Sequence, residues 1–294
     1  MRRWVILPTR REAIAAAASA LLFALAFPPF PLLFPAFLCL VPVAVLVARD
    51  ADAGASPRAA ARLGFWFGLL GYACALYWIA IALSLYTKLA VLGYFGAIMW
   101  LAPIVALSMA GLSALRRTTR APMAVLLPVT WVALEVVLNY TSDLAFPWLP
   151  LGLATSRFPV LAQAADLSGV RGLSFWIAAT NGLLADAWML RSDRRAVALR
   201  AVIIAVLLAA VMGYGAYRLR TTKMRTVAPI AIVQPNIPQE DKWQEENQGR
   251  IAGILSDLTR RHLAESPQSR PLRRQTEPDA AVRSCRLWRL RANA

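Results

Sequence analysis

The sequence predicts an all-α, multi-pass membrane bundle that is followed by the start of an α/β domain and a disordered tail. Hydrophobic residues make up 59% of the chain and charged residues 16%, with a mean hydropathy of +0.52, a balance too apolar for an ordinary water-soluble protein. Many apolar residues fall in runs of about 20, the length that an α-helix needs to cross the hydrocarbon core. After the last run, a short β-branched segment precedes a stretch with helical periodicity, the order in which many α/β domains begin.

Seven apolar segments are expected to form transmembrane helices. The first two are short, and the fifth carries an acidic residue, so six or eight spans are the alternatives. The predicted spans are 12–27, 32–48, 63–86, 89–115, 122–140, 168–190 and 197–217.

The basic residues between these spans predict the orientation in the membrane. If the N-terminus is cytoplasmic, fourteen arginines lie on that side and three basic residues lie on the other before residue 217. The positive-inside rule therefore places the N-terminus in the cytoplasm and residues after 218 in the periplasm of a Gram-negative cell. The cytoplasmic set is Arg2, Arg3, Arg10, Arg11, Arg49, Arg58, Arg62, Arg116, Arg117, Arg120, Arg191, Arg194, Arg195 and Arg200; the opposite set is Lys88, Arg157 and Arg171.

The net charge of +16 does not indicate a nucleic-acid partner, because most basic residues before 218 sit between apolar runs. Cys39 and Cys74 lie inside apolar runs and Cys285 lies in a polar tail. Their spacing indicates no disulfide framework and no metal site. We expect no metal and no cofactor.

The loop after the fifth predicted span, 141–167, is unusually apolar for a segment that faces water. Phe146, Pro147, Trp148 and Leu149 are consecutive in it, and few charged residues are nearby. Exposed apolar patches usually mark a binding or membrane-contact surface. We therefore predict a lipid-facing role for this loop, with simple packing over the bundle as the alternative.

Glu135 is an acidic residue inside an apolar segment. Such residues are costly in a membrane and are functional by default. A role in substrate contact or chemistry and an ion pair with Arg157 or Arg171 remain as alternatives.

Small and polar residues inside the spans predict contacts between helices. Gly64, Gly68 and Gly71 put small residues on one helix face, where a second helix can approach closely. Asn181 and Asp186, in the sixth predicted span, are expected to form interhelical hydrogen bonds.

The segment 230–262 predicts the first elements of a soluble domain. Residues 230–233 form a β-branched run between two prolines, the pattern of a short buried strand. From Lys242 to about His262, the apolar residues recur at helical spacing. These are Ile251, Ile254, Leu255 and Leu258.

Several sequence islands, taken together, resemble apolipoprotein N-acyltransferase of the bacterial inner membrane. The resemblance extends from residue 1 to about 262 and depends on the order and spacing of the islands. They are Leu-Ala-Phe-Pro-Pro at 25–29, Gly-Phe-Trp-Phe-Gly at 64–68, Tyr77 with Trp78, Trp131 with Glu135, Phe-Pro-Trp-Leu at 146–149, Gly152, Val-Gln-Pro-Asn-Ile-Pro at 233–238, and Lys242 with Trp243.

The resemblance implies a membrane bundle that carries a periplasmic nitrilase-like domain. It also implies acyl transfer from a phospholipid donor to the N-terminal diacylglyceryl-cysteine of an apolipoprotein, through a Cys nucleophile, a Glu base and a Lys that stabilises the oxyanion. Phe146, Pro147, Trp148 and Trp243 match the family's loops and would contact acyl chains or headgroups. We expect a monomer.

The sequence departs from the family pattern after the predicted helix. We divide it into a transmembrane domain (1–225), an incomplete nitrilase-like start (226–262) and an Arg- and Pro-rich disordered tail (263–294). No residue matches the catalytic Glu, Lys or Cys, so we predict an inactive chain and a shifted reading frame near Ser266. A lipid-binding or transport protein is the alternative function, and a structural membrane scaffold is a third.

Overall fold

The computed structural model describes residues 7–30, 32–84, 87, 89–223, 232–242 and 244–265. The chain divides into two compact units, Met1–Met224 and Arg225–Ala294, and each is described by itself. The described part of the first unit is built from helices α1 (Arg10–Leu25), α2 (Val41–Asp52), α3 (Pro57–Ala75), α4 (Tyr77–Ser84), α5 (Ala90–Thr119), α6 (Met123–Asn139), α7 (Pro159–Ala162), α8 (Ala165–Met189) and α9 (Arg194–Thr221).

Each predicted span overlaps helical structure, but the third one is not continuous. The segment 63–86 is divided between α3 and α4, because the backbone leaves helical geometry at Leu76 (φ −106°, ψ 9°). By length and hydropathy, three described helical segments could cross a membrane. The helix Met123–Asn139 is also apolar, but it is shorter than these three. These three are Phe34–Asp52, Val91–Thr119 and Arg194–Thr221. The first unit is therefore a helical membrane region.

Helix α3 lies between α5 and α1, and its glycines permit the close approach. A Cβ atom added at Gly64 would lie 2.7 Å from Met109 Cγ on α5, and one at Gly68 would lie 3.0 Å from Val105 Cβ. A Cβ at Gly71 would face α1 at ordinary contact distance. The prediction that these small residues mark helix contacts is confirmed.

Helices α6 and α8 form a second closely packed pair. The Asp186 carboxylate on α8 accepts hydrogen bonds from the Met123 and Ala124 amides, both at 3.0 Å. Since the first amides of a helix lack partners within the helix, this carboxylate satisfies the start of α6.

Asn181 joins α8 to the segment that leads into α2. Its Oδ1 accepts a hydrogen bond from the Leu40 amide at 2.9 Å, and its Nδ2 donates to the Ala36 carbonyl at 2.9 Å. Asn181 and Asp186 therefore form the interhelical hydrogen bonds that the sequence predicts.

Two ion pairs each join a pair of helices through one arginine. Glu12, near the start of α1, pairs with Arg62 on α3 at 2.6 Å. Asp52, at the end of α2, accepts two hydrogen bonds from Arg116 near the end of α5, each at 2.8 Å. The start of α1 therefore adjoins α3, and the end of α2 adjoins that of α5.

The second unit contains α10 (Gln239–Lys242), a 3-10 turn (Glu245–Asn247) and α11 (Gln248–Glu265). The predicted helix is confirmed over most of its length, but it begins at Gln248 instead of Lys242 and continues to Glu265. Of the predicted strand, Ile232 and Val233 are irregular, while 230 and 231 lie outside the described residues. A strand needs a neighbouring strand to pair its backbone groups, and the described residues of this unit contain none. Residues 263–265, which the sequence assigned to the disordered tail, instead form the end of α11, and the rest of the predicted tail, 266–294, lies outside the described residues.

Candidate lipid-contact site

The apolar loop brings two of the predicted site residues against a tryptophan from α4. The rings of Trp148 and Trp78 are stacked, with centroids 5.5 Å apart and planes inclined by 24°. The Phe146 ring lies 4.8 Å from that of Trp148. Trp148 is 48% exposed and Trp78 is 43% exposed. We call Trp78, Phe146 and Trp148 the aromatic cluster.

Local backbone chemistry fixes the loop around this cluster. The Phe146 amide donates to the Leu138 carbonyl on α6 at 2.6 Å. Pro147 and Pro150 restrict φ and have no amide hydrogen to satisfy. Leu151 then begins a 3-10 helix that runs to Thr155.

Glu135 lies beneath the loop and is only 8% exposed. Its Oε1 accepts hydrogen bonds from the Trp131 indole nitrogen at 3.0 Å and from the Leu151 amide at 2.8 Å. The second oxygen, Oε2, is buried and has no hydrogen-bond partner. The Ser174 side chain lies near the same carboxylate.

The predicted ion pair of Glu135 with Arg157 or Arg171 does not form among the described residues. Arg171 instead places its guanidinium 5.3 Å from the centre of the Tyr140 ring, although it lies within electrostatic reach of the carboxylate. The main partners of Glu135 are thus neutral donors, and both of their hydrogen bonds fall on one of its two oxygens.

A second contact ties the loop to α8. The Gly152 amide donates to Ser174 Oγ at 2.8 Å. A side chain at residue 152 would collide with the Val170 carbonyl oxygen. Glycine is therefore needed here, because the loop lies directly against the backbone of α8.

The tryptophan that bonds to Glu135 is itself held in the core. Trp131 is 2% exposed, and its ring lies 6.3 Å from Phe23 of α1 and 6.2 Å from Phe67 of α3. The carboxylate of Glu135 therefore connects the centre of the bundle to the outer loop.

The other predicted site residues have mixed outcomes. Pro147 is exposed beside the cluster, and Trp243 lies outside the described residues. Sequence patterns did not connect Trp78 with the loop. The signal that could have found it was the Tyr77 and Trp78 island, which carries the same family resemblance as the loop.

The cluster offers an exposed apolar and aromatic surface, which suits contact with acyl chains near the membrane interface. It has no nucleophile of its own. Cys39 is buried and donates its thiol to the Ala36 carbonyl at 3.3 Å, and Cys74 is exposed on α3, outside the aromatic cluster.

The described helices and the partly exposed aromatic cluster define a helical membrane protein. Residues 19–183 match the profile of the family described as "Apolipoprotein N-acyltransferase N-terminal domain". The chain belongs to the apolipoprotein N-acyltransferase family. The match does not favour a transporter or a scaffold.

Curated relatives agree with the family match. The chain is 33% identical over 264 residues to "Apolipoprotein N-acyltransferase" of Geobacter metallireducens, covering 88% of this chain and 50% of that protein. It is 26% identical to the protein of the same name from Methylococcus capsulatus, covering 85% and 48%, and 29% identical to that from Brucella suis, covering 90% and 51%. The chain therefore spans about half the length of these curated relatives.

Proposed function

We propose that this chain serves lipoprotein N-acylation as the membrane region of an apolipoprotein N-acyltransferase. In this role it binds a phospholipid, whose acyl chain is the one transferred to the diacylglyceryl-cysteine of an apolipoprotein. The observation that carries the proposal is the family match over 19–183, which contains the whole aromatic cluster. The partly exposed Trp78 and Trp148 supply the surface on which an acyl chain would lie.

The proposed topology has seven spans in a bacterial inner membrane, with a cytoplasmic N-terminus, and the chain acts as a monomer. The overlap of each predicted span with helical structure supports this count. The ion pairs of Glu12 with Arg62 and of Asp52 with Arg116 support one shared cytoplasmic end. The aromatic cluster would then lie on the periplasmic side, where residues 226–262 would begin a nitrilase-like domain.

We also propose that the described residues handle lipid without transferring the acyl group. Acyl transfer by a thiol needs a thiolate with a nearby base or cation. Cys39 is enclosed in the core, and Cys74 lies on α3 within an apolar run. Cys74 is exposed, but among the described residues neither cysteine has a hydrogen bond or ion pair to a basic or acidic side chain that would form a thiolate.

Photo-crosslinking tests the lipid contact. The purified chain is placed in vesicles that contain phosphatidylethanolamine with a diazirine in one acyl chain, and the labelled peptides are mapped. We expect strong labelling around 141–158, reduced at least about twofold by Trp148→Ala, because an aromatic contact is lost. The matched control is Trp188→Ala, since Trp188 is an exposed tryptophan outside the cluster. Equal labelling of the loop in wild type and Trp148→Ala would contradict the proposal.

An acyl-transfer assay tests the second part. The chain is incubated with phospholipid and a diacylglyceryl lipopeptide, and the Geobacter metallireducens relative serves as a positive control. We expect no N-acylated product above background. Product formed by this chain would show that it contains an active site.

A further inference from the structure

We infer that Glu135 is a positioning residue that holds the outer loop so that Trp148 stacks on Trp78 at the exposed surface. The inference concerns the placement of Trp148, and it depends on the proposed function only for the use of that placement in lipid contact. It assigns a physical role to a buried carboxylate that performs no chemistry in the site described above.

The first step is that two separate parts of the molecule converge on one oxygen. Trp131 reaches Oε1 from one turn earlier in α6, and the Leu151 amide reaches it from the loop. A buried amide hydrogen is costly unless it has an acceptor, so the bond to this oxygen favours one position of the loop. Because Trp131 is fixed in the core by Phe23 and Phe67, the loop amide is held relative to the bundle.

The second step is that the loop has few other hydrogen bonds to the bundle near Trp148, although Phe146, Leu149 and the buried Leu151 also pack against the core. The Phe146 amide bonds to α6 before it, and the Gly152 amide bonds to Ser174 after it. Pro147 and Pro150 supply no amide hydrogen. The bond from Leu151 to Glu135 therefore sets the backbone position of the segment that follows Trp148, and its loss should let that backbone shift while the apolar side chains still hold the loop on the core.

The third step separates positioning from proton transfer. Both hydrogen bonds fall on Oε1, while Oε2 has no hydrogen-bond partner. The variant Glu135→Gln keeps an oxygen acceptor of the same shape and puts the amide nitrogen in the place of Oε2. It should therefore preserve the loop, whereas Glu135→Ala removes the acceptor altogether.

The test follows Trp148 directly, by fluorine NMR of the 5-fluorotryptophan-labelled full chain in lipid nanodiscs. Resonances of Trp148 and Trp78 are assigned with Trp148→Phe and Trp78→Phe. In Glu135→Ala we expect both fluorine resonances to shift. In a separate hydrogen–deuterium exchange measurement, we expect the Leu151 amide to exchange roughly tenfold faster, since its hydrogen-bond acceptor is lost. In Glu135→Gln we expect the wild-type spectrum.

A second variant removes the same bond from the loop side and serves if Glu135→Ala does not fold. Leu151→Pro deletes the donor at the first position of a 3-10 helix, where proline is tolerated, and Pro150 already has the extended ψ of 137° that a following proline requires. Because Leu151 is fully buried, Leu151→Ala is compared with it: that variant also shortens the buried side chain but keeps the amide donor. We expect Leu151→Pro to displace the Trp148 resonance as Glu135→Ala does.

The matched control is Glu12→Ala, which removes another buried carboxylate, one that lies at the start of α1 and is 4% exposed. It should lower stability and leave Trp148 unchanged. The inference is overturned if Trp148 is unmoved in Glu135→Ala and Leu151→Pro, or if Glu135→Gln moves it equally. If Trp148 moves in Glu135→Ala while diazirine labelling of the loop stays the same, positioning is supported and the lipid-contact function fails.

Discussion

At the residue scale, three buried polar side chains each join separate segments of the first unit. Glu135 links α6 to the outer loop, Asn181 links α8 to the segment before α2, and Asp186 links α8 to the start of α6. A polar group in an apolar surrounding is costly unless it is hydrogen-bonded. Each of these residues therefore favours one arrangement of its neighbours over the others.

Replacing Asn181 with alanine should destabilise the helical unit. The change leaves the Leu40 amide and the Ala36 carbonyl without their side-chain partner, at a cost on the order of 1 kcal/mol in a membrane protein. Reversible unfolding in mixed detergent micelles measures the difference. Asn139→Ala is the control, because no side-chain hydrogen bond is present at Asn139 in the described residues, and equal losses in the two variants would contradict the assignment.

At the element scale, the glycines of α3 decide how closely its neighbours pack. Gly64 and Gly68 face α5, and Gly71 faces α1. Lipid offers little hydrophobic drive for helix association, so close packing at small residues supplies much of it. The break at Leu76 then starts α4, the helix that carries Trp78 to the loop.

Adding one methyl group at Gly64 should separate α3 from α5. The new Cβ would lie 2.7 Å from Met109 Cγ and 2.9 Å from the Val105 carbonyl oxygen. Overpacking of this kind costs roughly 1–3 kcal/mol, so Gly64→Ala should lower the thermal midpoint in detergent. Gly111→Ala on α5 is the matched control, since nothing lies within 4 Å of its added Cβ. A comparable loss in the control would show that helix packing is not the cause.

At the scale of the helical unit, two sets of polar contacts join the helices, and each set lies at different helix ends. Ion pairs join the start of α1 to α3 and the end of α2 to that of α5. Asp166, in the first turn of α8, accepts hydrogen bonds from Tyr214 and Arg218 near the end of α9, at 2.6 and 2.7 Å. Under the proposed topology, the first contacts face the cytoplasm and the second ones face the periplasm.

Cysteine labelling tests this topology. With Cys39, Cys74 and Cys285 replaced by alanine, Asp143→Cys in the outer loop should react with a membrane-impermeant maleimide in intact spheroplasts. Thr118→Cys, near the end of α5, should react only after permeabilisation, because the arginine-rich side is expected to be cytoplasmic. The reverse pattern would show that the aromatic cluster faces the cytosol.

The sequence by itself determined where the helices form and which family the chain resembles. Apolar runs, the glycines of α3 and the polar residues of α8 are local signals, because hydropathy and side-chain size act wherever a residue is placed. The same signals predict seven spans, a number that stays a proposal. They also predict a strand at 230–233, whose described residues, 232 and 233, are irregular.

The tertiary structure alone decided which distant groups meet. Trp78, near the start of α4, stacks on Trp148 after the backbone leaves helical geometry at Leu76, a break that no local pattern predicts. Glu135 bonds to the Leu151 amide instead of forming an ion pair with an arginine. Every residue except proline carries an amide hydrogen, so the sequence does not mark which one will reach a buried carboxylate. Only the packing of the loop against α6 and α8 selects it.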